Sequence, residues 1–336
     1  EKTLCYRHPL CHPTPKRRRF GGSGCGQWGG KNYKEKKIID MMVEKFNQGN
    51  KENKERVTSK IELRFFRHAE KENDKSKPDQ EIELTETGRK QAVEKSRDVY
   101  ISQAVAFGSS RKRTQQTAGF VMGGKMDGIT GSEDLEELEE KLNEGIKVGD
   151  KIGVDERLDF DIDPSTDFGK RALEAFMAGE YLKFLVEQSD NLAQVLGDSS
   201  PTTYDRTARR VAEIVKKYLD IAPRWNELAQ DEDKNYEDTL RRFFGTHQGI
   251  GESFLAKVIE LTKGKVERDA FVSVLNNQGF DFVEGFEVNI DTINGKEQKV
   301  RISFKKEKDG QVLFEYDEVV PREVIESFIA TADTGK

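Results

Sequence analysis

Ile61-Glu62-Leu63-Arg64-Phe65-Phe66-Arg67-His68-Ala69-Glu70 is the stretch from which the fold can be read. The apolar run from Ile61 to Phe66 reads as a strand near 60–67, and it closes on Arg67-His68. A second run, Leu240 to Thr246, closes on His247. The chain has four histidines, and the other two, His8 and His12, lie in an N-terminal stretch without folding signals. Every histidine of the folded body therefore follows a strand-like segment. In an open α/β sheet the carboxyl ends of parallel strands form the ligand crevice. An imidazole there can be a nucleophile, a general base or a phosphate contact. One such histidine is as readily a buried structural group. Two in matching positions, one preceded by arginine, point to function.

Outward from these strands, helices and further strands alternate. Glu86 to Tyr100 reads as a helix with Thr85 as N-cap. Ala104 to Gly108 is a short strand, and a helix follows Ser109-Ser110 to about Met122. Residues 123–150 read as loop plus a short acidic helix, 166–196 as one long helix and 204–219 as another. Gly249 to Leu261 is the helix after the second strand. Phe282–Ile290, Lys299–Lys305 and Val312–Tyr316 read as strands joined at Asn294-Gly295 and Asp309-Gly310, both hairpin dipeptides. This C-terminal meander, within 280–318, extends or flanks the main sheet. Pro321 to Ala330 closes as a helix.

The organisation expected is a disordered basic and Gly-rich tail over 1–32, an amphipathic helical segment over 33–58 and a catalytic domain over 59–336. The tail carries Lys16-Arg17-Arg18-Arg19 and Gly21-Gly22-Ser23-Gly24, and it cannot bury enough apolar surface to offset its ordering entropy. All three cysteines, Cys5, Cys11 and Cys25, lie there, so no disulfide is expected in the body. With His8 and His12 they form no standard zinc-finger spacing, and no metal or cofactor is expected.

Charged and hydrophobic residues each make up 35% of the 336, and the net charge is −6. That balance argues against nonspecific nucleic-acid binding. No apolar segment approaches the roughly 20 residues needed to cross a bilayer, and no secretory h-region is visible, so the expectation is cytoplasmic. The oligomeric state is not legible.

The motif elements recur in order. Leu63-Arg64-Phe65-Phe66-Arg67-His68-Ala69-Glu70 is followed by Leu84-Thr85-Glu86-Thr87-Gly88. Then come Ser109-Ser110-Arg111-Lys112-Arg113-Thr114-Gln115-Gln116-Thr117-Ala118 and Gly245-Thr246-His247-Gln248-Gly249. Over roughly 60–265 this set resembles the histidine phosphatase superfamily, the phosphoglycerate mutase-like enzymes. Ala69 and Gln248 stand where that family commonly has glycine. The resemblance implies a three-layer α/β/α sandwich with a mostly parallel central sheet, to which the meander is added.

It also implies roles. His68 is the expected nucleophile, forming a phosphohistidine. Arg67, Arg113 and His247 are the expected phosphate contacts, since a transferring phosphoryl group needs fixed positive charge around its oxygens. Glu70 and Gln248, beside the two histidines, are further expected substrate contacts. Thr85 and Gly88 are expected to cap and turn. The family's proton donor often falls in an Arg-Leu-x-Glu context. Here Arg157-Leu158-Asp159-Phe160-Asp161 is the nearest match, with Phe160 where that glutamate would fall. Asp161 is the expected acid; Asp159, Glu70 and Glu252 are the alternatives.

The function expected is a metal-independent phosphomonoester hydrolase of the histidine acid phosphatase type. Its substrate would be a phosphorylated small molecule or a phosphoprotein. A phosphoglycerate mutase-type phosphotransferase and a non-catalytic phospho-ligand binding module are the alternatives. Specificity is expected in the loops 70–83 and 123–165, where Lys71, Lys75 and Lys77 could steer an anion.

Overall fold

A computed structural model describes residues 56–144, 149–198 and 202–330. The described residues all belong to one compact unit, 55–336. The expected tail, its cysteines and histidines, and the expected helical segment up to residue 55 lie outside the described residues.

Seven strands form one sheet in the order β3-β2-β4-β1-β5-β6-β7. They are β1 (Val57–Arg67), β2 (Ala104–Gly108), β3 (Ile152–Val154), β4 (Thr239–Thr246), β5 (Gly285–Ile293), β6 (Glu297–Lys308) and β7 (Gln311–Val320). The pairs β2–β3, β2–β4 and β1–β4 are parallel. The pairs β1–β5, β5–β6 and β6–β7 are antiparallel. The strands β3-β2-β4-β1 are parallel throughout, and the antiparallel part of the sheet is the expected C-terminal meander, β5 to β7. The C-terminal meander joins the edge of β1 and so extends the sheet, one of the two placements expected. Its two hairpin dipeptides turn as their composition demands, with Asn294 and Gly295, and Asp309 and Gly310, all at positive φ.

Helices cover both faces of the parallel half. On one face lie α1 (Glu86–Glu94), α2 (Lys112–Gly123) and α3 (Leu135–Asn143). There Ala92, Phe120, Leu138 and Leu142 pack with Phe66, Ala106 and Phe243 of the sheet. The small helices α4 (Asp167–Met177), α5 (Tyr181–Phe184) and α6 (Asp190–Leu196) follow, with a five-residue π-helical turn between the last two. The second face carries α7 (Tyr204–Ala229), α8 (Ile250–Lys263), α9 (Lys265–Val274) and α10 (Arg322–Ala330). Their apolar sides close over Ile61, Leu63, Phe65, Val288, Ile302 and Phe314. The buried residues of β6 and β7 all face this second layer, so the meander is covered on one side only. Among the described residues no helix is long and apolar enough to cross a membrane.

Several boundaries differ from expectation for physical reasons. The expected helix over 166–196 is broken at Gly179, whose φ of +73° starts a new direction. The helix from Tyr204 runs on to Ala229 through Pro223, because Ala222 and Trp225 continue its buried face. The first helix stops at Glu94, short of Tyr100, and β3 and α9 were not anticipated.

The sheet places the site. Register pairs Arg67 with Thr246, so the residues that follow, His68 and His247, stand abreast at the carboxyl ends of adjacent parallel strands. The His68 N–H donates to Thr246 O at 2.8 Å and holds the two ends together.

Candidate active site

The His68 and His247 rings meet edge to face, with centroids 5.5 Å apart and planes at 67°. Both are buried. His68 Nδ1 lies 2.7 Å from the Ala69 carbonyl oxygen. A carbonyl only accepts, so the proton of this contact sits on Nδ1 and the Nε2 lone pair is left uncommitted. Burial pushes the His68 pKa down to about 3, and Arg113, Arg67 and Lys71 push the same way, so the ring is neutral near pH 7. His247 is likewise held well below its ordinary value by burial, His68, Arg113, Arg111 and Lys71. Its Nε2 lies 2.8 Å from Ser109 Oγ.

Two guanidinium groups flank the rings. Arg67 Nη1 donates to Phe280 O at 2.7 Å, and its Cζ stacks 4.8 Å from the Phe282 ring centroid. Arg113 enters from the first turn of α2. Helix and strand approach closely there: a Cβ on Gly245 would sit 2.1 Å from Thr114 O, so only glycine fits. Both outer nitrogens of Arg113 are engaged by Asp79, with Nη1 2.7 Å from its backbone oxygen and Nη2 3.1 Å from its carboxylate. The Nε–H groups of Arg67 and Arg113 are buried and donate to no protein atom among the described residues.

Asp79 and Arg111 belong to this cluster and were not picked out from the sequence. Arg111 Nε donates to Asp79 at 2.6 Å and its Nη2 to Phe160 O at 2.7 Å. Lys71 Nζ lies 3.9 Å from the same aspartate. Burial raises the Asp79 carboxyl, but hydrogen bonds from Arg113 and Arg111 outweigh it and hold the pKa at about 2. Arg111 carried a signal in its place two residues before Arg113. An aspartate in a polar loop of an acidic chain carried none.

The remaining candidates are placed differently. Ala69 is buried, with its N–H on Thr117 Oγ1, and its φ is not in the left-handed region, so a methyl group is accommodated where the family has glycine. Thr85 caps α1 by accepting from the Gly88 N–H, as expected. Glu70 Oε1 accepts from Thr85 Oγ1 at 3.0 Å, and Gln248 Nε2 donates to Gln278 O at 2.6 Å; both side chains are tied into the framework. Asp161 is exposed, and its N–H and carbonyl both meet Thr202 Oγ1. Asp159 Oδ1 accepts from the Ser110 N–H and hydroxyl at 2.8 and 2.7 Å. Glu252 is fully buried and accepts from the Gly249 and Phe280 N–H groups at 2.9 and 2.7 Å. Burial raises its pKa to about 7 against the pull of those bonds. Phe160, at the position expected for a glutamate, turns its ring to within 6.0 Å of His247. Among the described residues no three His, Cys, Asp or Glu side chains converge on a metal-binding point.

The sequence profile of the histidine phosphatase superfamily (branch 1) matches residues 63–161. No curated protein matches the chain. Among solved structures, a mycobacterial hydrolase is similar at 14% identity and a TM-score of 0.41, covering 81% of this chain and 98% of its own. A mycobacterial glucosyl-3-phosphoglycerate phosphatase is similar at 13% identity and TM-score 0.39, covering 78% and 98%. A phosphoserine phosphatase from Entamoeba histolytica, solved with 3-phosphoglyceric acid, is similar at 14% identity and TM-score 0.32, covering 70% and 95%. His247 lies beyond the matched segment and joins it through the geometry of β4. Arg67-His68 and Arg113 both lie inside the stretch that matches the histidine phosphatase superfamily model.

Proposed function

We propose that the protein is a phosphomonoester hydrolase working through a phosphohistidine at His68. The observation that carries this reading is the His68 ring itself: neutral, its Nδ1–H fixed on Ala69 O, its Nε2 unengaged beside a second buried histidine. The family match supports phosphatase or phosphotransferase chemistry through a histidine.

In the first half-reaction the Nε2 lone pair forms a bond to phosphorus as the ester P–O bond breaks. The ring becomes cationic, and the Nδ1–H to carbonyl bond strengthens as it does. The buried Nε–H groups of Arg67 and Arg113 are donors suited to the equatorial oxygens. The N-terminus of α2 adds its dipole. His247 is kept neutral first by burial and then by His68 and neighbouring cations; a phosphoryl dianion opposes the influence of those cations and favours its protonated, donating form. Water then attacks phosphorus, the P–N bond breaks and its electron pair returns to Nε2. Hydrolysis rather than transfer is our reading, for a phosphorylated small molecule or a phosphoprotein. The cysteine-free sequence from residue 56 onward fits a reducing compartment such as the cytoplasm.

The test is turnover of p-nitrophenyl phosphate in EDTA by the wild type and by His68→Ala. Loss of a nucleophile should cost at least about 10³-fold in kcat while leaving the melting temperature near that of the wild type. Turnover that persists in the variant, or none in the wild type over a broad set of phosphomonoesters, defeats the proposal. Conversion of 3- to 2-phosphoglycerate without phosphate release would replace it with the mutase.

A further inference from the structure

The surroundings of the two histidines also limit what can leave. A strongly basic alkoxide needs a proton as it departs, normally from a protonated carboxyl group facing the bond that breaks. Among the described residues, four of the five carboxyl groups considered are engaged elsewhere, and the fifth, Asp161, is exposed. Asp79 bridges Arg111 and Arg113 as an anion, and Asp159 accepts from Ser110. Glu70 is turned to Thr85, Glu252 is sealed behind two backbone N–H groups, and Asp161 is exposed with its backbone held by Thr202. The ring beside His247 is Phe160, whose carbonyl is held by Arg111 and whose edge packs on Tyr181 at 5.8 Å. It cannot give a proton.

The other flank is aromatic too. Phe282 lies 6.2 Å from His68 and is 40% exposed, with the Arg67 guanidinium over its face. It is held there under strain. Val283, a β-branched residue, has φ +56°, in the left-handed region such residues rarely adopt, while its N–H donates to Arg67 O at 3.1 Å. The rings thus run Phe282, His68, His247, Phe160, with neighbouring centroids 5.5 to 6.2 Å apart. Phe282 also walls an open cleft of 390 Å³ with Arg67, Gln91, Glu94, Lys95, Asp281 and Val283, which has room for a ring-sized group.

We infer that the substrates are aryl phosphate monoesters, whose phenolic oxygen leaves without a protein acid and whose ring packs on Phe282. This rests on the hydrolase reading above. The balance is simple. Nε2 bonds to phosphorus, the P–O bond breaks, its electron pair stays on the phenolate, and the phenolate takes its proton from solvent. Water then displaces Nε2 and releases hydrogen phosphate. A phenol with a pKa of about 10 is a tolerable leaving group on these terms, and an aliphatic alcohol is not.

The experiment compares initial rates for a series of substituted phenyl phosphates and for β-glycerophosphate. The expected result is a steep fall in kcat/KM as the leaving group becomes more basic, with the alkyl ester at least about 10³-fold below p-nitrophenyl phosphate, the scale of a missing general acid. Phe160→Glu should raise the ratio of alkyl to nitrophenyl turnover. Phe282→Ala should raise KM across the aryl series by about 3- to 10-fold with kcat little changed, the worth of one aromatic contact. Alkyl and aryl esters within about tenfold of each other would overturn the inference and leave the hydrolase reading standing. Failure of every ester sinks both. The wild-type series decides the matter even where a variant does not fold.

Discussion

Buried ionisable groups at the site oppose one another in their response to pH. The folded value of His68, about 3, lies below its ordinary value of 6.5. Between those two the unfolded chain binds more protons, so the stability His68 contributes is present above pH 6.5 and is lost as pH falls toward 3. At pH 5 the loss is about 2 kcal/mol. His247 acts in the same direction. Glu252 acts in the other: its value is raised from 4.5 to about 7, so its contribution is greatest below pH 4.5 and fades as pH rises through 7. Urea unfolding at pH 7.5 and 5.0 should show His68→Asn losing about 2 kcal/mol less than the wild type over that interval. Equal losses would mean that the His68 imidazole is not held neutral by the fold. At this scale the sequence was informative where a residue's neighbours in the chain set its place, as for His68 after β1 and Arg113 at the start of α2. It was silent where a partner arrives from elsewhere: Asp79 reaches Arg113 across 34 residues, and Phe280 reaches Arg67 across 213.

The loop between β1 and α1 reaches Arg113, one of the two arginines proposed to bind phosphate. It carries Lys71 and Asp79, and it ends on Leu84, whose N–H is held by Gln116 of α2 at 2.8 Å. Asp79 occupies the outer edge of the Arg113 fork and half of its surface is exposed, so solvent weakens the pair. Replacing it with asparagine removes a negative charge beside an anion site while keeping an acceptor for Arg111. Asp79→Asn should therefore tighten competitive inhibition by inorganic phosphate by about 3- to 10-fold, more at low salt than at 0.5 M. Weaker inhibition would mean that Asp79 chiefly holds the guanidinium in place. Elements with a strict two-residue alternation or a hairpin dipeptide were readable in advance, as β5 to β7 show. Those governed by one backbone break or one continued apolar face, at Gly179 and Trp225, were not.

Across the whole molecule a stack of rings joins the two halves of the sheet one layer beneath the histidines. Phe107 of β2, Phe244 of β4, Phe65 of β1 and Phe286 of β5 follow at 5.5, 4.5 and 5.0 Å. Phe65 sits between the parallel and antiparallel halves and is 1% exposed. Phe65→Ala should cost about 3–5 kcal/mol in urea unfolding, because the surrounding rings cannot close on the space left. It should also depress activity, since Arg67 is two residues away. A loss under about 1 kcal/mol would show that the stack is not what unites the sheet.

The central strand β1 finds its partners late. Lys60 pairs with Thr239 and with Asp291, so a ribosome must add some 180 residues before the first edge of β1 can be paired and some 50 more before the second can. Until then the nascent chain holds out an apolar ribbon with two bare edges, the form most prone to the wrong neighbour. Emergence of β4 from the ribosome, more than any local helix, therefore sets the moment at which two histidines can become a pair.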